Sequence, residues 1–276
     1  MTEPATTTNS PERRRWNDTY WTSVWPKREQ MTLEATVPLL DALSLRDGDR
    51  VLDVGSGAGR TSTVAAGLVG PSGSVVGADI SSPLVEFSRR VVEREGIDNA
   101  TFQVADVQVD PIEGGPFSVV MSQFGVMFFE QPVVAFANVR AHAAAGARLG
   151  FTSWQAMGEN AWFVGFALWP FVAPPPVPAP GNHATGPFAL ADVAETTAML
   201  EAAGWQEIAC TPVHKDVALD PDVLFDDGQA SFLGVPADRL AEANAALEAY
   251  YAPMRGDDGR YAVSLAFNVF TASNPS

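Results

Sequence analysis

Arg50-Val51-Leu52-Asp53-Val54-Gly55-Ser56-Gly57-Ala58-Gly59-Arg60 runs a buried-strand pattern into three glycines at alternate positions and then into a helical pattern. Val51, Leu52 and Val54 form a short apolar run rich in β-branched side chains, the pattern of a strand covered on both faces. Gly55 ends that run. With no Cβ in the way, the backbone at 55, 57 and 59 can turn sharply and approach a ligand closely, while the next helix presents its N-terminus to the same space. Such a cradle suits a nucleotide.

Working outward, residues 74–80 (Ser-Val-Val-Gly-Ala-Asp-Ile) read as a second buried strand. It carries Asp79 at its carboxyl end, about 20 residues past the loop, where a ribose-binding acid belongs. Ser82 and Pro83 fit the N-cap and first turn of the following helix, which leaves Asp79 free for a ligand. A dinucleotide fingerprint places its third glycine in the sixth position of the loop; here Arg60 stands there and Gly59 stands in the fifth. The loop therefore fits a pyrophosphate cofactor poorly.

Residues 51–60 followed by 75–81 resemble the first two motifs of the class I S-adenosylmethionine-dependent methyltransferases, of the small-molecule, ubiquinone/menaquinone-methyltransferase-like type. Residues 101–107 (Thr-Phe-Gln-Val-Ala-Asp-Val) resemble the third strand of that family, and 117–124 (Phe-Ser-Val-Val-Met-Ser-Gln-Phe) the fourth. The resemblance covers about residues 45–155. It implies an α/β, Rossmann-like, seven-stranded and mostly parallel sheet with helices on both faces, an antiparallel last strand between the fifth and sixth, and a small substrate cap. It also implies S-adenosyl-L-methionine as cofactor. Gly55, Ser56, Gly57 and Gly59 would then lie against its amino-acid part, with Asp53 organising the loop or accepting from the ammonium group. Asp79 would take the ribose, Asp106 the adenine amino group, Ile80 and Val107 the adenine faces, and Gln123 and Phe124 the neighbourhood of the methyl. A strand-end cap is the competing role for Asp106. Near the fourth strand, the Asn/Asp-Pro-Pro-Tyr signature of nucleic-acid-base methylases is replaced by Ser122-Gln123-Phe124-Gly125.

Residues 1–12 are polar and proline-punctuated, and are expected to be a disordered tail. Residues 13–44 form an expected helical lid, with Trp16, Tyr20, Trp21 and Trp25 at spacings that share a helix face. That stripe either packs on the core or closes over cofactor and substrate. Residues 45–154 are the cofactor-binding core. Residues 155–188 read as the substrate cap, an aromatic helix with Trp162, Phe166 and Trp169 running into a proline-dense, stiff loop. Tyr20, Trp21, Trp162, Phe166 and Trp169 are the candidate substrate contacts, with plain core packing as the rival reading of the aromatic helix. Residues 189–276 complete the core with helices over 190–203 and 237–251 and strands over 205–219 and 260–271.

A formal charge of −16 and a pI near 4.4 repel a phosphate backbone, so no nucleic-acid partner is expected. No stretch approaches the ~20 apolar residues of a membrane span, and the N-terminus lacks a secretory pattern. Together with a single cysteine, Cys210, this points to a cytoplasmic protein. No metal-ligand cluster is visible. Among three histidines, His142 sits beside alanines on a helix and His214 on a strand; His183, within the cap, is the one candidate for a catalytic base. The expected function is in-line methyl transfer to a small, largely apolar acceptor, a secondary metabolite or quinone-like compound. The alternatives are a nicotinamide-dependent oxidoreductase and a non-catalytic S-adenosylmethionine-binding protein.

Overall fold

The computed structural model describes residues 9–174, 178, 182–226 and 228–275. Most of the expected tail and the middle of the proline-dense loop lie outside them. The N-terminal segment gives α1 (Ser10–Trp16), α2 (Thr19–Arg28), a 3-10 stretch over Glu29–Ala35 and α3 (Thr36–Leu43). Then come β1 (Arg50–Val54), α4 (Arg60–Val69), β2 (Ser74–Asp79), α5 (Ser82–Glu95), β3 (Ala100–Val104), β4 (Phe117–Gln123), α6 (Pro132–Ala141) and β5 (Ala143–Trp154). The remainder is α7 (Gly165–Leu168), α8 (Val193–Ala202), β6 (Gln206–Leu219), α9 (Pro221–Leu224), α10 (Gln229–Phe232), α11 (Leu240–Tyr251) and β7 (Tyr261–Ser273).

All seven strands form one sheet in the order β3-β2-β1-β4-β5-β7-β6. The first five are parallel, and β7 runs antiparallel between β5 and β6. Side chains alternate between two apolar layers: Val51 packs with Leu39, Val69 and Val85 on one face, and Leu52 with Phe117, Phe136 and Phe151 on the other. Burial on both faces is why Val51-Leu52 in β1 and Val119-Val120-Met121 in β4 are consecutive apolar residues. Strand order reverses at β1, whose neighbours are β2 and β4, and this opens a crevice beyond their carboxyl ends.

Several boundaries differ from the sequence pattern. Residues 10–12 belong to α1, not to a tail: Glu12 is buried and accepts from Thr185 Oγ1 at 2.7 Å, while the Asn9 amide donates to Glu130 Oε2 at 3.1 Å. The N-cap of α5 is Ser81, whose hydroxyl accepts from the Leu84 amide, one residue before the expected Ser82. The aromatic helix shrinks to the four residues of α7, and Pro170 follows at once, unable to continue a helix.

The N-terminal segment is pinned to the far end of the chain. Arg28 Nη2 donates to Asp226 Oδ2 at 2.7 Å and Gln229 Oε1 at 3.1 Å, and the Tyr20 hydroxyl donates to the same Asp226 oxygen at 2.9 Å. Tyr20 also stacks on Phe232, with ring centres 4.8 Å apart, and Lys27 pairs with Asp222. Arg28 is buried, but the Asp226 side chain is 29% exposed, so water can take over the carboxylate when the arginine is removed. Arg28→Ala is therefore expected to destabilise the fold by about 1–2 kcal/mol, less than a fully buried pair would lose. Urea unfolding checks this.

Candidate active site

Four hydrogen bonds fix the glycine loop. The amides of Gly55 and Ser56 donate to Ala78 O at 2.8 and 3.2 Å, that of Gly57 to Asp79 Oδ2 at 2.8 Å, and that of Gly59 to Ser56 O at 2.9 Å. These N–H groups are spent within the protein, so the loop serves its ligand by closeness rather than by donating from 55–57. Gly55 has φ +69°, and a Cβ there would stand 2.8 Å from Gly125 Cα. At Gly57 a Cβ would stand 2.8 Å from Trp25 Nε1. Gly59 departs from expectation: it does not line the cleft, and packs instead against Phe102 and Ser88 where α4 begins.

The cleft lies at the ends of β1, β2 and β4. Asp53, Ser56, Asp79, Ile80, Asp106, Val107, Gln123 and Phe124 all line it with Gly55 and Gly57, so most of the expected cofactor residues converge. Five carboxylic acids line it, Glu12, Glu29, Asp53, Asp79 and Asp106, and among the described residues no lysine, arginine or histidine does. Asp79 accepts from the Gly57 and Ser81 amides, both at 2.8 Å. Asp53 accepts from Ser62 Oγ at 2.6 Å. Asp106 Oδ1 accepts from the Gln108 amide at 3.2 Å, while its Oδ2 is buried with no donor among the described residues.

Burial dominates the proton equilibria. It pushes Asp53 up to about 7, with the Ser62 hydroxyl opposing and the Asp79 charge adding, and pushes Glu29 up to about 7 against the pull of Arg60. Asp79 and Asp106 are raised for the same reason, partly offset by the amides they accept from. A carboxyl whose folded pKa is raised favours folding below its unfolded value, 3.8 for Asp53, and that advantage is lost as pH rises through about 7. Asp53→Asn, which keeps an acceptor for Ser62, is expected to be more stable than the wild type without cofactor, by a margin that widens from about pH 4 to about 7 and then levels off. Paired thermal melts check it; a constant margin contradicts it.

Trp16, Trp25, Phe124, Phe128 and Phe129 form an aromatic wall. Phe124 holds φ +62°, rare for a bulky residue. Its amide donates to Thr152 Oγ1 at 3.1 Å and its ring stacks on Trp154, centres 4.1 Å apart. Gln123 reaches the cleft, but its amide is engaged: Nε2 donates to Thr32 O at 2.9 Å, and Oε1 accepts from Thr36 and Thr61 hydroxyls at 2.8 and 3.2 Å. It braces the N-terminal segment against β4.

None of the five expected substrate contacts lines the cleft. Tyr20 is held by Asp226, and Trp21 packs behind Trp16 and Trp25. Trp162 packs at a tilt against Trp154, ring centres 4.7 Å apart, and Phe166 and Trp169 pack on Phe163. The cluster packs on itself at the edge of the core, with Trp169 51% exposed. His183 also lies elsewhere, in an outer groove with Gln131 and Met199, its Nε2 3.3 Å from Glu195. His142 is half-buried, and its Nε2 accepts from the Ile112 amide at 3.0 Å. Conversely, Asn9, Glu12, Glu29, Thr32, Thr61 and Gly125 line the cleft without having been singled out by the sequence.

Residues 45–160 match the family described as "Methyltransferase domain". With the sheet order and the cleft, this match makes that part of the chain similar to the class I S-adenosylmethionine-dependent methyltransferases. Aklanonic acid methyltransferase DauC of Streptomyces sp. (strain C5) is 33% identical over 115 residues, 42% of this chain and 52% of that protein. Nocamycin O-methyltransferase of Saccharothrix syringae is 34% identical over 115 residues, 41% of each chain. The chain thus spans about half or less of the length of these curated relatives. The YcgJ protein of Bacillus subtilis shares the fold, with a TM-score of 0.59 at 16% identity over 88% of this chain and 99% of that one.

Proposed function

We propose that this chain transfers the methyl group of S-adenosylmethionine to a small, largely apolar organic acceptor by in-line displacement. The observation that carries this reading is the cleft itself: five carboxylic acids and no basic side chain among its described lining residues, beside an aromatic wall. When bound, S-adenosylmethionine supplies an electrophilic methyl on a positively charged sulfonium. A nicotinamide dinucleotide would instead bring two phosphate charges into this acidic space, which counts against the oxidoreductase reading.

Asp79 keeps a lone pair on each oxygen beyond those its amides use, enough for two ribose hydroxyls. The buried, unpartnered Asp106 Oδ2 suits an adenine amino group, with Ile80, Leu84 and Val107 enclosing the ring. Trp16, Trp25, Phe124, Phe128 and Phe129 would exclude water and press a flat acceptor into line, where proximity alone accounts for roughly 7–11 kcal/mol of barrier. Residues 13–44 act as a lid in this reading, since Trp16 and Trp25 form part of the wall. Two relatives named for methylating aklanonic acid and nocamycin support a small acceptor.

The test is incubation with methyl-labelled cofactor and a panel of phenolic, polyketide-like and isoprenoid compounds. Label in one acceptor class is the expected result. Cofactor binding with no labelled product would leave a non-catalytic binder, and tighter binding of a nicotinamide dinucleotide would overturn the reading altogether.

A further inference from the structure

Lys27 and Arg28, at the end of α2, are committed to Asp222 and Asp226 on the far side of the segment. Glu29 follows them and is left facing the cleft. Its carboxyl takes no hydrogen bond among the described residues, and the charges that bear on it are the Asp53 carboxyl at the end of β1 and the Arg60 guanidinium at the start of α4. Burial and the charge on Asp53 both oppose ionisation of Glu29, so a cation seated with the pair would stabilise both charges. One turn earlier, the Trp25 Nε1 donor is buried with no acceptor, and it occupies the space that a side chain on Gly57 would fill. A buried indole N–H without a partner marks a place for an acceptor.

We propose that the N-terminal segment reads the amino-acid end of the cofactor: Glu29, together with Asp53, takes the α-ammonium, and the Trp25 indole N–H takes the α-carboxylate. This rests on the cleft being the S-adenosylmethionine site, and it goes further by assigning recognition of the zwitterion to residues outside the glycine loop. The assignment fits the chemistry of each group. An ammonium has three N–H donors and seeks carboxylates, whereas the sulfonium has no donor; the carboxylate needs a donor, and the loop amides at 55, 56 and 57 are already engaged. A carboxylate beside Gly57 would satisfy the Trp25 N–H without disturbing those bonds.

Calorimetric titration of the full chain separates the two contacts. The probes are S-adenosylmethionine, its analogue with a 2-oxo group in place of the ammonium, and decarboxylated S-adenosylmethionine. Glu29→Gln is expected to weaken S-adenosylmethionine by roughly tenfold or more while leaving the oxo analogue within about twofold of its wild-type affinity. Trp25→Phe is expected to weaken S-adenosylmethionine but not the decarboxylated compound. Because each variant is compared across ligands, a general loss of packing cancels. Equal losses for all three ligands would overturn the proposal. So would unchanged S-adenosylmethionine binding by Glu29→Gln with a collapse in turnover and loss of its pH dependence near 7, which would make Glu29 the base for the acceptor's proton. If the wild-type chain binds none of the three, the cofactor reading itself fails, and this assignment falls with it.

Discussion

Asp79→Ala is expected to weaken S-adenosylmethionine binding by about 100-fold and to destabilise the protein without cofactor by about 2 kcal/mol. Two separate roles combine here. The carboxylate ties the glycine loop to the start of α5 by accepting from the Gly57 and Ser81 amides, both at 2.8 Å. Removing it leaves two N–H donors buried, at about 1–3 kcal/mol each. Part of that loss is returned, because Asp79 is only 8% exposed and burial works against its charge. The net figure is therefore nearer the lower end of the sum. Affinity should fall further than stability, since the variant loses the charged acceptor proposed for the ribose and also the loop geometry proposed to receive the amino-acid end. Asp79→Asn keeps one acceptor oxygen and should lie between. Urea unfolding without cofactor and calorimetric titration with it read the two roles separately; normal affinity in the alanine variant would end the ribose assignment, and normal stability would end the loop-tying role.

The frame of the site was legible because its residues sit where chain periodicity changes. Asp53, Asp79 and Asp106 occur at or just past the ends of apolar runs, and the β-α alternation alone sends those ends to one edge of the sheet. The family resemblance supplied the place of β7. What a pattern of aromatics does not encode is depth. Phe124, Trp154 and Trp162 lie in successive layers, 4.1 and 4.7 Å apart, and only the first reaches the cleft. On α2, spacing groups Tyr20, Trp21 and Trp25 on one side, but partners distant in sequence, Asp226 and Phe232, draw Tyr20 away while Trp25 turns inward. Glu29 had no signal at all, since an acid at the end of a charged Lys-Arg-Glu run reads as solvated surface until Asp222 and Asp226 are seen to claim the two cations. Gly59 followed the glycine rhythm for another reason: the helix of β2–α5 packs too close for a side chain there.

Gly55→Ala is expected to cost about 3 kcal/mol of stability and to reduce cofactor affinity by at least about 100-fold, because two backbones meet at this point. The added Cβ would lie 2.8 Å from Gly125 Cα, and a backbone neighbour cannot rotate aside as a side chain can. The left-handed φ of +69° adds about 1–2 kcal/mol for a residue with a Cβ. Relief requires the β1–α4 and β4–α6 connections to separate, and these carry Gly57 on one side and Phe124 on the other into the cleft. Gly125→Ala makes an instructive partner: its φ is −80°, so it has no backbone strain, yet its Cβ would stand 2.6 Å from Val54 O and 2.9 Å from Gly55 Cα. Gly125→Ala should therefore lose stability through crowding alone, with no conformational cost added. If one contact governs both, the double variant should lose less than the sum, because the separation forced by the first methyl makes room for the second. Losses that add to within about 0.5 kcal/mol would show that the two glycines serve independent purposes, and that the cleft does not depend on the close approach of these two backbones.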